Sequence, residues 1–370
     1  MPDRERTGNA APELRLIAWE VTRACNLACR HCRASAHPEP FPGELSTSEA
    51  RELIDTFPRV GNPIVIFTGG EPLMRSDIFE LAARVRDRGL RPVMAPNGTL
   101  LTDENVREMR KAGIERVSVS IDGPDAQTHD RFRGVPGAFE ASMRGIEQLN
   151  RAGLEFQINT TVTRENLPHF KEIFRLAERL GAVAWHIFLL VPTGRAQDLQ
   201  AEIISAEEYE RLLNWFYQFR KRTSMQLKAT CAPHYHRILR QRAREDGLEV
   251  SYANFGLDAL SRGCLGGVGF CFISHSGQVQ PCGYLELDCG QIRETPFPDI
   301  WSGSEVFRQL RSREHYRGKC GICEYHRVCG GCRARAWTMQ GDYLGEEPLC
   351  SHQPGEKVSS RISQEKSGET

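Results

Sequence analysis

The chain has no surplus of charge of either sign. Among its 370 residues Lys+Arg and Asp+Glu are both 48, so the formal net charge is zero. Without a basic excess there is no electrostatic basis for holding a nucleic-acid backbone. No apolar run approaches the ~18 residues that a membrane-spanning helix needs. The opening segment, MPDRERTGNAAPE, is charged and has no apolar centre, unlike a secretory signal. These absences predict a cytoplasmic chain that partners neither nucleic acid nor membrane. Hydrophobic residues make up 40% and charged residues 26%, an ordinary globular composition long enough for one large or two moderate domains. Cysteine is what the chain does not lack. Thirteen cysteines in a cytosolic protein point to metal ligation or catalysis rather than disulfides.

The first half alternates strand and helix signals. Arg15–Thr22 reads as a strand, Ser46-Thr-Ser-Glu49 as a capping box opening a helix to about Phe57, and Pro63–Phe67 (PIVIF) as a buried parallel strand. Further strands are predicted over Arg91–Ala95, Arg116–Ile121, Phe156–Val162 and Val183–Val191. Helices are predicted over Ile78–Gly89, Asp103–Ala112, Gly137–Ala152 and Leu167–Leu180. Six βα-type units of roughly 30 residues predict an α/β fold, a parallel sheet curled into a partial barrel. Sites in such sheets lie at the C-terminal strand ends. Helices are expected over Ser205–Arg222 and Pro233–Asp246, and after about Gly247 the sequence turns rich in glycine and cysteine. The expected organisation is an N-terminal extension (1–14), the barrel (15–200), a helical linker or substrate-site region (201–260), a cysteine-rich domain (261–354) and a polar, disordered tail (355–370).

The first strand ends at Cys25-Asn-Leu-Ala-Cys29-Arg-His-Cys32. Three thiolates this close can grip three irons of a four-iron cubane and leave the fourth open, whereas electron-carrier sites use four. The second strand ends in Gly69-Gly70-Glu71-Pro72, where glycines let backbone approach a ligand and Glu71 can accept from an ammonium. The third ends at Asn97 and the fourth at Ser120-Ile-Asp122, with Arg133 placed to pair with a carboxylate. Further on stand Cys264-x6-Cys271-x10-Cys282, Cys320-x2-Cys323-x5-Cys329-x2-Cys332 and Cys350. Two Cys-x2-Cys pairs suit a four-cysteine zinc site as readily as iron–sulfur ligation. Cys231, His234 and His236 form one more dense group, read either as a helix start around Pro233 or as a substrate or metal site.

Cys-x3-Cys-x2-Cys after a first strand, followed by Gly-Gly-Glu-Pro after the second, resembles the radical S-adenosylmethionine (SAM) enzymes. The resemblance implies a [4Fe-4S] cluster on Cys25, Cys29 and Cys32, with SAM chelating the open iron through its amine and carboxylate. It implies that Gly69, Gly70 and Glu71 hold the methionine amine, and that Asn97, Ser120, Asp122 and Arg133 hold the ribose and carboxylate. His31 departs from the Tyr or Phe usual before the third cysteine. The later cysteines resemble a SPASM extension carrying one or two auxiliary [4Fe-4S] clusters. By that analogy Cys320, Cys323, Cys329 and Cys350 form one cluster, and Cys264, Cys271, Cys282 and Cys332 the other. Cys271, in the apolar GFCFI stretch, reads equally as a buried core cysteine, and Cys289 as a packed thiol. The Cys329-x2-Cys332 step is one residue shorter than the usual motif.

Segments including VMAPNGTLLT, LLVPTGRA, KATCAPHYHRILRQRA and CEYHRVCGGCRARA resemble the tetrapyrrole-modifying radical SAM proteins, most nearly the haem-forming branch of the siroheme-dependent route. That branch implies oxidative decarboxylation of two propionates of iron-coproporphyrin III to vinyl groups, giving haem b, with a ferredoxin or flavodoxin as reductant. Arg33, Arg195, Lys228 and Arg237 are candidate propionate partners or plain surface cations. Cys231, His234 and His236 are candidate axial ligands. The alternatives are sibling enzymes acting on haem d1 precursors or didecarboxysiroheme, a SPASM peptide maturase, and a zinc-stabilised module without catalysis. The short segment before the first strand argues against the maturase.

Overall fold

The structure is a computed structural model that describes residues 11–355. The expected disordered tail, from residue 356 on, and the first ten residues of the expected N-terminal extension lie outside the described residues. Seven parallel strands follow in chain order: β1 (Leu14–Glu20), β2 (Gly61–Thr68), β3 (Arg91–Met94), β4 (Arg116–Ser120), β5 (Glu155–Val162), β6 (Ala184–Leu189) and β7 (Gln226–Thr230). The connecting helices are α1 (Thr47–Thr56), α2 (Ile78–Asp87), α3 (Asp103–Lys111), α4 (Ala126–Arg133), α5 (Ala138–Ala152), α6 (Phe170–Arg179), α7 (Ala206–Arg220) and α8 (His234–Glu245). The six strands and the helices predicted from sequence are present with bounds shifted by a few residues. The Ser46–Glu49 capping box forms in both directions.

The sheet continues at both ends beyond the six predicted strands. β7 pairs parallel with β6 (His186↔Lys228), inside the segment expected to be helical. At the other edge β8 (Phe270–Ile273) pairs parallel with β1 (Ile17↔Cys271), followed by antiparallel β9 (Gln278–Gln280) and β10 (Gly290–Gln291). The cysteine-rich region therefore enters the same sheet as the barrel, next to the strand that leads into the Cys25 loop.

Alternation divides each strand between two environments. In β5, Phe156, Ile158 and Val162 join the helix-side core, while Gln157 and Asn159 turn the other way and meet His186 through Gln157 Nε2, 2.9 Å from both Asn159 Oδ1 and His186 Nδ1. The helix-side core is aromatic. Trp185 of β6 packs against Phe170, Phe174 and Phe216 at 4.8, 5.5 and 5.9 Å between ring centroids. Truncating so large a buried side chain to alanine costs about 3–5 kcal/mol. Among the described residues no helix is long and apolar enough to cross a membrane.

Candidate active site and thiol clusters

The cysteine loop leaves β1 and is held by its neighbours' backbone. Cys25 N donates to His37 O (2.9 Å) and Arg30 N to Phe132 O (3.1 Å). Arg195 reaches across to the carbonyls of Cys29 (2.8 Å) and Ala36 (2.7 Å). Backbone N–H groups point at sulfur, Leu27 N at Cys25 Sγ and Ala36 N at Cys32 Sγ, both at 3.4 Å. Burial comes first in pushing the Cys25 thiol up to about 12, with the Glu71, Cys29 and Cys32 side chains adding to it. Cys25 and Cys29 are buried beside the half-buried Cys32, burial raises both their thiols, and binding metal there must release their protons.

The two glycines of the second motif are explained by this loop. A Cβ on Gly69 would lie 2.3 Å from Thr22 O, and one on Gly70 2.3 Å from Ala24 O. Gly70 N and Glu71 N donate to those same carbonyls, each at 2.8 Å. The motif thus stitches the end of β2 against the cysteine loop. Glu71 is fully buried, accepting from Asn97 N (2.6 Å) and Leu73 N (3.0 Å). Burial outweighs these bonds and raises it to about 7. A carboxylate with that penalty gains most from a ligand ammonium. Asn97 bridges to Asn26 Oδ1 at 2.8 Å, beside Cys25.

Ser120 ends β4 half-buried, two residues before Asp122. Asp122 is fully buried, ion-paired to Arg133, and accepts from Thr161 N at 2.7 Å. Burial opposes charge on Arg133, yet Asp122 beside it holds its pKa above the usual value. Arg133 also points Nη1 at Cys29 Sγ (3.7 Å), setting a cation against the thiol triad. His31 stacks on Phe132 with centroids 4.3 Å apart and planes 10° from parallel. Burial first, then Arg133 and Arg195, hold His31 well below its ordinary pKa, so it is a neutral ring.

All thirteen cysteines are free. Cys329 lies in electrostatic range of Cys350 and Cys320, and Cys323 of Cys320, which gathers the four thiols expected to form one cluster. Backbone N–H groups again aim at sulfur: Tyr325 N at Cys323 (3.4 Å), Gly331 N at Cys329 (3.5 Å) and Glu347 N at Cys320 (3.4 Å). Cys282 lies near Cys264 and Cys332, which forms a second group. Cys271 is not brought to it. It is fully buried on the helix side of β8, in the core with Ile17 and Ile273 and near Cys289. Strand alternation places it on the face opposite Phe272, whose ring carries the Arg33 guanidinium 4.5 Å from its centroid.

The group Cys231, His234 and His236 divides. Cys231 contacts Cys332. His234 is 1% exposed, edge-on to Tyr209, and both its nitrogens lack a hydrogen-bond partner. His236 turns toward Arg240 and Lys228, where burial foremost lowers it to about 4. Of the four candidate propionate partners, three are committed to protein. Arg33 pairs with Glu20, Arg237 with Glu210, and Arg195 binds the two carbonyls above. Lys228 alone projects from the barrel-facing side of β7, surrounded by protein yet open to solvent.

Two features went unread in the sequence. Glu20, fully buried at the tip of β1, gathers Arg23, Arg33 and His275. Although burial raises it, Arg33 and the other partners hold its carboxyl far below the usual range. The signal was a lone acid in the apolar strand RLIAWEVT. The second is the pair Arg335–Glu347, both fully buried, behind the last cysteine of the C-terminal run.

Residues 19–177 match the radical SAM superfamily, and residues 264–333 match the SPASM iron-sulfur cluster-binding domain. Among solved structures, Streptococcus suis SuiB bound to precursor peptide SuiA has the same fold (TM-score 0.72, 16% identity, 93% of this chain and 77% of that one). Fold, motifs and thiol groups together define a radical SAM enzyme with a C-terminal SPASM region. An AdoMet-dependent heme synthase from Oleidesulfovibrio alaskensis is 69% identical over 349 residues, 94% of this chain and 90% of that one. The Fe-coproporphyrin III synthase of Methanosarcina barkeri is 31% identical over 352 residues, 90% and 87% of the two chains. The chain belongs to the AdoMet-dependent haem synthase family.

Proposed function

We propose that this chain converts iron-coproporphyrin III to haem b by oxidative decarboxylation of two propionates. The observation that carries this reading is the 69% identity across 94% of the chain to a haem synthase, set against 31% to an Fe-coproporphyrin III synthase. The residues fit the implied cofactors. Cys25, Cys29 and Cys32 supply three ligands, and Glu71 with the Asn97 and Asp122–Arg133 positions supplies polar contacts for SAM. When bound, the cluster and SAM would supply a hydrogen-abstracting 5′-deoxyadenosyl radical; each propionate that loses its β-hydrogen would release its carboxylate as carbon dioxide and one electron, its two remaining carbons becoming the vinyl group.

The chain's own part is to orient and to exclude water. Arg195, Glu71 and the Gly69-Gly70 contacts fix the cysteine loop. The dry setting of Asp122 and Arg133 lends weight to every charge there. Lys228, in register with His186, is a cation for a substrate carboxylate, and burial first, then Lys228, lowers His186 to about 3 and keeps it neutral. Cys320, Cys323, Cys329 and Cys350, with the Cys264–Cys282–Cys332 group, would hold auxiliary clusters able to accept the electron released with carbon dioxide. Thiolate clusters suit a reducing cytoplasm, with a ferredoxin or flavodoxin as donor.

The test is anaerobic incubation of the cluster-replete protein with SAM, reductant and iron-coproporphyrin III, with didecarboxysiroheme in a parallel arm. The expected result is two successive losses of carbon dioxide plus two hydrogens from the coproporphyrin only. Turnover of the didecarboxysiroheme arm alone would move the chain to the sibling reaction.

A further inference from the structure

Cys231 directly follows β7 and has a backbone φ of +54°, one of two non-glycine residues with positive φ among the described residues. A side chain held in that region is strained and persists only where its surroundings impose it. The surroundings here are specific. The Cys231 carbonyl accepts from Arg335 Nη2 at 3.0 Å and from Tyr209 OH at 3.1 Å. Its side chain and that of Cys282 pack against the same small cluster that buries Cys332 with Val191 and Leu285, and Cys264 lies near Cys282 and Cys332.

The loop behind it is pressed against the loop carrying Cys264. A Cβ on Gly263 would sit 2.3 Å from Pro233 Cβ and 2.4 Å from Cys329 O, so only glycine permits the approach. Cys332 is anchored from the same side, its N–H donating to Glu347 Oε2 at 2.7 Å while Glu347 pairs with Arg335. Arg335 therefore holds Cys231 by its carbonyl and, through Glu347, Cys332 by its amide.

We infer that the Cys231 thiolate is the fourth ligand of the auxiliary cluster formed on Cys264, Cys282 and Cys332, which leaves that cluster with no open iron. Binding replaces the thiol proton with iron and changes no oxidation state. Cys271 is left out, on the other face of β8. A fully ligated cluster carries electrons and does not bind substrate, so Cys231 is not an axial ligand of the tetrapyrrole iron. The ligand also ties the barrel's last strand to the cysteine-rich region. The inference does not depend on which tetrapyrrole is the substrate.

The test uses the full chain with Cys25, Cys29 and Cys32 replaced by alanine, reconstituted anaerobically, reduced and exposed to 13C-cyanide. This parent should show no 13C coupling in its electron–nuclear double resonance spectrum. Adding Cys231→Ala should either produce that coupling, from a newly open iron, or remove about four irons per chain, while Cys289→Ala does neither. Cys231→Ser, which keeps the size and an oxygen donor, covers an alanine variant that fails to fold. It should retain the cluster with an altered electron paramagnetic resonance spectrum. Coupling in the parent, or parent-like iron content and spectra in the Cys231 variants, would overturn the assignment.

Discussion

The Arg335–Glu347 pair joins the barrel to the cysteine-rich region, and its removal has a calculable cost. Both side chains are fully buried. Arg335 Nη1 lies 3.3 and 3.2 Å from the two Glu347 oxygens, and Nη2 reaches the carbonyls of Leu189, Leu190 and Cys231 at 3.4, 3.3 and 3.0 Å. Glu347 accepts in turn from Cys332 N and from Leu349 N at 3.2 Å. Taking away one partner leaves an uncompensated buried charge, a loss of about 3–5 kcal/mol. Glu347→Gln preserves shape and an acceptor for Cys332 N–H but strands the guanidinium. Arg335→Met preserves bulk but strands the carboxylate. At about 1.3 °C per kcal/mol for a chain of this length, each should lower the melting midpoint by roughly 4–6 °C. The double variant Arg335→Met/Glu347→Gln strands neither charge, so it should recover at least about 2 kcal/mol relative to the sum of the singles. The assay is anaerobic denaturant unfolding of the cluster-loaded protein, followed in parallel by bleaching of the cluster absorption. The two signals separate loss of fold from loss of clusters. Singles costing under about 1 kcal/mol, or additivity within about 0.5 kcal/mol, would refute the reasoning.

Two other expectations concern turnover. Replacing Cys320 and Cys323 by serine should leave SAM cleavage running while haem formation and carbon dioxide release fall at least tenfold; unchanged haem yield would show that the Cys320–Cys350 cluster is not the electron's path. Lys228→Met should raise KM for the porphyrin about tenfold, since losing one charge-assisted contact amounts to about 1.4 kcal/mol. Substrate-free SAM cleavage should be unaffected, and an unchanged KM would remove Lys228 from the substrate site.

The barrel was legible because its strands are strongly marked. PIVIF and the Ser46 capping box state their conformations locally, and the structure repeats them. β7 was not legible. Its sequence QLKAT has three polar residues in five, because an edge strand beside an open interior has little to bury against on one face. β8, β9 and β10 are four, three and two residues long, too short for a period to declare itself. α4 carried a usable signal that went unread: Asp125 caps it by accepting from Thr128 N at 2.8 Å.

The site divides along the same line. Cys25, Cys29 and Cys32 are legible because one loop carries all three, so spacing alone announces them. The meeting of Cys231 with Cys332 is a tertiary event across a hundred residues, and no spacing rule reports it. It follows from the order of the sheet. β8 lies beside β1 and β7 lies at the far edge, so a cysteine-rich region rooted at β8 that also holds the end of β7 must reach over the strand ends where Cys25, Cys29 and Cys32 sit. Tyr284 packs with Cys231 and Cys282 and lies in electrostatic range of Cys32 and Arg33, so it stands between the two thiol groups. In the proposed reaction the substrate would lie between Cys25, Cys29 and Cys32, which would hold the SAM-binding cluster, and the cysteines of the C-terminal region, which would hold the auxiliary ones. Glu20 fixes Arg33 at that boundary, which gives a physical reason for an acid at the tip of an otherwise apolar strand.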